Sequence, residues 1–442
     1  MSGIEVGFVI FGVMLALMVV RVPIGISMFT VGFFGYAYLT GGNFNAPLNS
    51  LKNLAYARLS NYDLVVIPLF LLMGQFATHG GLSRALFRFV GAYMGHRRGG
   101  VAIAAIGACA GFGAICGSSV ATAATMGQVA LPELRRFGYS GSLATGALAA
   151  GGTLGIMIPP SVPLVIYAIL TQESIGKLFM AAILPGIIAM LGYMLVVRIV
   201  VTLNPKAGPA GPAVAWREKL KSLLTVLPVL LVFVVVTIGI YGGWANPTEA
   251  AAIGAAACGI LAVANGNMRS KGLIDSVLGT AQATAMIFLV LLGADMMNTT
   301  LALSQMPAEL AAWVKASGLS PLLVMLMILL IYIFMGCVMD ALAMILLTIP
   351  IFYPMVMGLD FWAMSPTDKS IWFGILALMV VEIGLVHPPV GMNVYIINRL
   401  ARDVPLTETF KGVIPFLASD FVRITLLLFF PIISLYLVHT FH

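Results

Sequence analysis

Two stretches of this chain carry the same uncommon instruction. Residues 151–167 read GGTLGIMIPPSVPLVIY and residues 380–396 read VVEIGLVHPPVGMNVYI. Each has a glycine, three residues and a Pro-Pro pair, and an offset of 229 residues lays Gly155-Pro159-Pro160 on Gly384-Pro388-Pro389. Proline removes a backbone donor and clashes with the preceding turn, so a helix breaks or kinks at each site. Within a bilayer such a break is tolerated only where it is buried in protein or lines a cavity. Two interrupted apolar segments at corresponding places in two halves point to the binding site of a transporter.

Composition sets the solvent. Of 442 residues 61% are hydrophobic and only 9% charged, and the mean hydropathy is +1.06. Too few charges are present to cover a soluble protein of this size, so the chain reads as an all-α polytopic membrane protein. Its net charge of +7 therefore bears on loop orientation, and no nucleic-acid-binding pattern accompanies it. Cys109, Cys116, Cys258 and Cys337 lie in apolar stretches without metal or disulfide spacing and are expected to pack as small core residues. The first apolar run, 6–20, is followed rather than preceded by its basic residue, Arg21, and is expected to be a retained helix.

Taken in order, the chain offers spans near 5–21, 22–40 and 62–78, separated by a polar, Asn-rich stretch at 41–61. Arg84 and Arg88 recur at helical spacing in 80–100, as in an interfacial amphipathic arm. Basic residues flank 100–133 on both sides (Arg97, Arg98; Arg135, Arg136). Since basic loops favour the cytoplasmic side, this segment is expected to be a re-entrant hairpin with the polar tip CGSSVATAAT. A broken span, 142–170, and a span at 176–201 follow. The basic, Pro/Gly-rich loop 203–222 is the clearest linker. The second half repeats the order: spans 224–240, 248–264 and 283–303, an arm near 305–317, a hairpin at 320–355 with weakly charged flanks, a broken span at 370–398 and a last span at 412–438. Residues 1–202 and 223–442 thus form an inverted-topology repeat of about ten spans, two re-entrant hairpins and two proline-broken spans. An offset of about 219 lays Gly117 on Gly336.

The chemistry is expected at the tips and breaks. Ser118, Ser119, Thr122 and Thr125 near Gly117, facing Gly151, Gly152, Thr153 and Gly155, offer hydroxyls and freed carbonyls, the oxygen donors that hard monovalent cations take. Small residues also dominate ordinary membrane helix interfaces. At the second tip Gly336, Asp340 and Thr348 face Glu382, Gly384, His387 and Asn393. Glu382 occupies the repeat position of Thr153. Asp295, Asp340 and Glu382 are acids in apolar surroundings, with cation binding, proton transfer, helix capping and local pairing all open to them. His387 is open to an anionic substrate or to a hydrogen bond within the break. Asp420 and Arg423, three residues apart, are expected to form a local ion pair. Without a phosphate-cradling loop, HExxH or nucleophile-base arrangement, neither ATP-driven pumping by this chain nor enzymatic activity is expected.

The segments GSSVATAAT, GGTLGIMIPPSVPLVIYA, ANPTEAAAIGA, MDALAMILLTIPIFYP and EIGLVHPPVGMNVYII resemble, in order and through nearly the whole chain, the large membrane subunit of tripartite ATP-independent periplasmic (TRAP) transporters. The resemblance implies a sodium-driven secondary importer of organic anions, working by an elevator movement in the bacterial inner membrane. It also implies a small four-helix membrane subunit, an extracytoplasmic substrate-binding protein, and no cofactor beyond Na+. By motif, one sodium site would comprise Ser118, Ser119, Thr122, Gly152 and Thr153, and a second Gly336, Asp340, Glu382 and Gly384. Substrate would lie among Gly117, Thr125, Pro159, Pro160, His387, Pro388, Pro389 and Asn393. The family commonly has Thr at the position of His387 and often Ser at that of Ala343. The rivals are a stand-alone sodium- or proton-coupled carrier of the same superfamily and a channel, the latter disfavoured because a pore needs a continuous polar lining.

Overall fold

The computed structural model describes residues 3–265, 268–337 and 339–441. In chain order its helices are α1 (Gly3–Val19), α2 (Ile24–Leu39), α3 (Asn45–Leu59), α4 (Val66–His79), α5 (Leu82–Met94), α6 (Gly100–Cys116), α7 (Ser119–Arg136), α8 (Gly141–Met157), α9 (Val162–Thr171) and α10 (Ile175–Leu203). They continue as α11 (Trp216–Tyr241), α12 (Pro247–Ala264), α13 (Ser270–Leu303), α14 (Met306–Ala316), α15 (Pro321–Gly336), α16 (Ala341–Met357), α17 (Pro366–Gly384), α18 (Met392–Leu400), α19 (Leu406–Phe429) and α20 (Ile432–Phe441). Among the described residues six helical stretches are long and apolar enough to cross a membrane, one of them α4 together with the 3-10 turn Tyr62–Val65 that leads into it, and the bent pair α8–α9, turning by 40°, makes a seventh. α1 and α2, of 17 and 16 residues, fall short of that test by length. The polar stretch at 41–61 contains α3, a largely exposed helix, and the linker is helical from Trp216 onward.

The breaks form where the prolines dictate. α8 starts on the Ser140 side chain, which accepts a hydrogen bond from the Leu143 N–H, and stops at Met157 before Pro159-Pro160. The chain resumes as α9 with Pro163 in its first turn, where a missing N–H costs nothing. α17 runs from its Ser365 cap to Gly384, and α18 restarts after Gly391 at φ +61°. Both Pro-Pro bonds are cis. The ANPTEAAAIGA segment forms a capping box at the head of α12, Asn246 and Glu249 each accepting the other's backbone N–H.

Each hairpin packs on its own broken span, α6 and α7 on α8, α15 and α16 on α17. Glycines set these approaches. A Cβ added at Gly113 would lie 2.5 Å from the Gly155 Cα, and one added at Gly384 would lie 2.5 Å from the Gly336 Cα. The structural counterpart of Gly336 is therefore Gly113, 223 positions away, instead of Gly117. The N-caps agree: Ser118 caps α7 and Asp340 caps α16. The first-tip register read from sequence was off by about one turn, because Gly117 serves a separate close approach, to the Pro160 carbonyl.

Beside this unit, α2 and α13 pack through Gly25, Gly32 and Gly293, each set against the other helix's backbone. Arg58 of α3 grips Asp295 of α13 with two hydrogen bonds of 2.5 and 2.6 Å. That fork assigns Asp295 to structure and accounts for one of the two basic residues, Lys52 and Arg58, of the α3 segment.

Candidate functional site

Four half-helices begin around one cavity. Its volume is about 390 Å3, and its lining includes the first residues of α7 (Ser119), α9 (Val162, Pro163), α16 (Ala341) and α18 (Met392), with both caps, Ser118 and Asp340. Leu71 of α4 and Ala283, Met286 and Ile287 of α13 close the remaining side. Among the described lining residues none is Lys, Arg or His. Helix N-termini carry unsatisfied N–H groups and a partial positive charge, so their convergence suits an anion without a basic side chain.

At the first tip the sequence-derived set is partly assembled and partly exchanged. The Ser118 hydroxyl accepts from the Ala121 N–H. The Thr122 hydroxyl is fully buried with no hydrogen-bond partner among the described residues. Gly155 opens the space beside it: a Cβ there would lie 2.4 Å from Thr122 Oγ1 and 2.6 Å from the Ser118 carbonyl oxygen. Asn393, expected at the second site, instead reaches across the repeat. Its Nδ2 donates to Ser119 Oγ at 2.8 Å and to the Ala149 carbonyl at 3.3 Å, while its buried Oδ1 is unbonded. Gly152 leaves room for it, since a Cβ there would lie 3.1 Å from that Nδ2. The first tip thus gathers Ser118, Ser119, Thr122 and Asn393 oxygens.

Thr153 and Glu382 are placed elsewhere. The Thr153 hydroxyl bonds the Ala150 carbonyl at 2.7 Å and Tyr193 Oη at 3.1 Å. Tyr193 donates to Asp420 Oδ2 at 2.9 Å, and Asp420 lies 2.8 Å from Arg423. Glu382, wholly buried, stands beside Thr153, Arg423 and Asp420. Arg423 also reaches the Met157 sulfur at the end of α8. The two repeat-equivalent positions therefore meet in a charged cluster behind the breaks, away from both tips. The expected Asp420–Arg423 pair is present, but it is buried and shared with three other side chains. Arg423 at the C-terminal end of α8 has the favourable polarity for that helix dipole, whereas Glu382 in the last turn of α17 does not and relies on the arginine beside it.

At the second tip Asp340 Oδ2 caps α16, accepting from the Leu342 and Ala343 N–H groups at 3.2 and 3.5 Å. Gly336 and Gly384 form the close backbone contact behind it. Thr348 bonds Tyr332 within the hairpin and stays structural. His387 contacts the Pro388 carbonyl and lies 3.6 Å from Cys337 Sγ, while Pro388 and Pro389 are exposed. Pro159, Pro160 and Thr125 do not line the cavity, whereas Gly117 does. Tyr193, Leu71 and the α13 residues were not legible as site residues: each is one apolar or aromatic side chain in a uniformly apolar span.

Comparison with known proteins agrees with this architecture. Residues 11–433 match the family model described as tripartite ATP-independent periplasmic transporter, DctM component. The chain is 37% identical over 391 residues to the Pseudomonas aeruginosa C4-dicarboxylate TRAP transporter large permease protein DctM, covering 88% of this chain and 89% of that one. It is 30% identical to the Vibrio cholerae sialic acid TRAP transporter large permease protein SiaM, with 96% of each covered. Among solved structures the Alcanivorax borkumensis YdaH transporter superposes with a TM-score of 0.60 at 14% identity, covering 87% of this chain and 88% of that chain, a likeness of fold alone. The chain is a transport permease and not an enzyme. It belongs to the DctM component family of tripartite ATP-independent periplasmic transporters.

Proposed function

We propose that the chain is the transmembrane subunit of a sodium-coupled secondary importer of organic anions in the bacterial inner membrane. The substrate class is carboxylates such as dicarboxylates, sugar acids or sialic acid. A small four-helix membrane subunit and an extracytoplasmic substrate-binding protein complete the system, and the hairpins and broken spans move as a body against α2 and α13 in an elevator cycle. The observation that carries this reading is the cavity on which four half-helix N-termini converge. A carboxylate seated there is stabilised by peptide N–H groups and dipoles. The relatives named for C4-dicarboxylate and sialic acid transport favour the same substrate class. A sodium ion at the first tip would take oxygens from the Ser118 carbonyl, Thr122, Ser119 and Asn393. At the second tip the Asp340 carboxylate favours a second cation.

The test is thermal stability of the purified chain in sodium against potassium at equal ionic strength, followed by uptake in liposomes with both partners. An ion bound only by the folded state adds RT ln(1 + [L]/Kd), about 2.7 kcal/mol at a hundredfold excess over Kd. A sodium-specific rise that Thr122→Ala removes supports the first ion site. Uptake of a carboxylate driven equally by sodium and potassium gradients would sink the coupling assignment.

A further inference from the structure

The amphipathic arm α5 carries a basic cluster that the transport site does not use. Arg84 and Arg88, one helical turn apart and exposed, form the wall between two neighbouring cavities. One, of about 540 Å3, lies between α5, the C-terminal turns of α7 and residues 211–214 of the linker. The other, about 330 Å3, lies between α5 and the first turns of α11, where Lys221 adds a third cation and Ser222 and Thr225 add hydroxyls. The acids in the two linings are Glu133 and Glu218; Glu133 is taken by Arg136 at 3.4 Å. Among the described residues Arg84, Arg88 and Lys221 have no acid within ion-pair distance.

The pocket is built, not a chance gap between loops. The linker is stitched to the hairpin by backbone hydrogen bonds, Gly99 N–H to Gly208, Gly211 N–H to Gly95 and Ser140 N–H to Ala207, all 2.9–3.0 Å. Two independent features set its depth at the membrane interface. Trp216 is largely exposed at the head of α11, and Lys219 lies over the Tyr93 ring, the aromatic-and-basic signature of the headgroup level. About a quarter turn round α11 from Lys221, and adjoining it through Leu224, the exposed leucines 220, 224, 227 and 231 make an apolar ridge facing outward.

We propose that Arg84, Arg88 and Lys221 bind the phosphodiester headgroup of an anionic phospholipid, with its acyl chains laid along the α11 leucine ridge. Guanidinium groups match phosphate oxygens as planar two-point donors, and basic pockets between membrane helices are suited to anionic lipid heads. The ridge is what favours a lipid over a soluble phosphate ester. Because α5 contacts α6 and α7 as well as α11, a headgroup held here braces the arm against the first hairpin.

The test uses the full chain, purified in detergent and stripped of lipid, with melting temperature read after adding phosphatidylglycerol, phosphatidylethanolamine or inorganic phosphate. Phosphatidylglycerol is expected to raise the melting temperature where the other two do not. Arg84→Gln with Arg88→Gln should abolish the rise, Arg84→Lys with Arg88→Lys should keep part of it, and Arg269→Gln with Lys271→Gln should leave it whole. Lys221→Gln, at an exposed position, should weaken the rise even if the double arginine variant fails to fold. An equal rise with phosphatidylethanolamine, or one that survives loss of both arginines and of Lys221, overturns the proposal. A full rise with inorganic phosphate replaces the lipid with a soluble phosphate ligand.

Discussion

The cluster behind the breaks makes Asp420→Ala the most informative single change. Asp420 and Arg423 are each no more than 2% exposed as residues and 2.8 Å apart, and Tyr193 donates to the same carboxylate. Removing one partner of a buried ion pair costs about 3–5 kcal/mol, chiefly because the survivor is left without counter-charge. Here the survivor is not alone, since Glu382 stands beside Arg423. The loss is therefore expected near the lower end, about 3 kcal/mol. The same geometry changes what the usual rescue should do. Replacing a buried pair by apolar residues is often neutral or stabilising, but Asp420→Leu with Arg423→Met would strip Glu382 of its cation. That double variant is expected to remain less stable than the parent, and adding Glu382→Gln should restore much of the loss. Midpoints from denaturant titration of the purified protein give the order. If the Asp420/Arg423 double variant already matches the parent, Glu382 is not electrostatically coupled to the cluster and the reasoning fails. The sodium-specific increment should survive Asp420→Ala, because none of these side chains faces the first tip.

Further expectations follow from the close contacts. Ser119→Ala removes the acceptor of the Asn393 amide and should shrink the stability difference between sodium and potassium; an unchanged difference would take Ser119 out of the ion site. Gly384→Ala places a methyl 2.5 Å from the Gly336 Cα and should lower stability by about 1–3 kcal/mol, seen as a reduced melting temperature. With the buried cysteines 109, 116, 258 and 337 as a quiet background, a cysteine near Arg135 should be labelled from the cytoplasm and one near Thr367 from outside. Labelling of both from one side would contradict opposite orientation of the two halves.

Helix breaks, hairpins and arms could be read from sequence because proline chemistry and charged flanks are local signals. Serine and threonine at the first tip were legible for the same reason. What the sequence could not carry was the pairing of side chains hundreds of positions apart. Glu382 and Thr153 match by the 229-residue offset, yet nothing local says that both turn toward Tyr193, Asp420 and Arg423. Asn393 looked like part of its own break, and only packing of α18 on α7 and α8 carries its amide to Ser119. His387 sits at a break but lies against Cys337, outside the cavity lining. Glycine-to-glycine register likewise depends on which of several glycines meets backbone, a three-dimensional fact.

The cavity's lining has a consequence for acidity. Peptide N–H groups do not gain or lose protons across the biological range, so an anion held by them meets no side-chain cation that switches off as the medium turns alkaline. Asp340 is the one titratable side chain among the described lining residues. A pH profile of the anion binding proposed for this cavity therefore has two sources, the ionisation of the anion itself and that of Asp340. Asp340→Asn separates them: whatever pH dependence survives in that variant belongs to the anion.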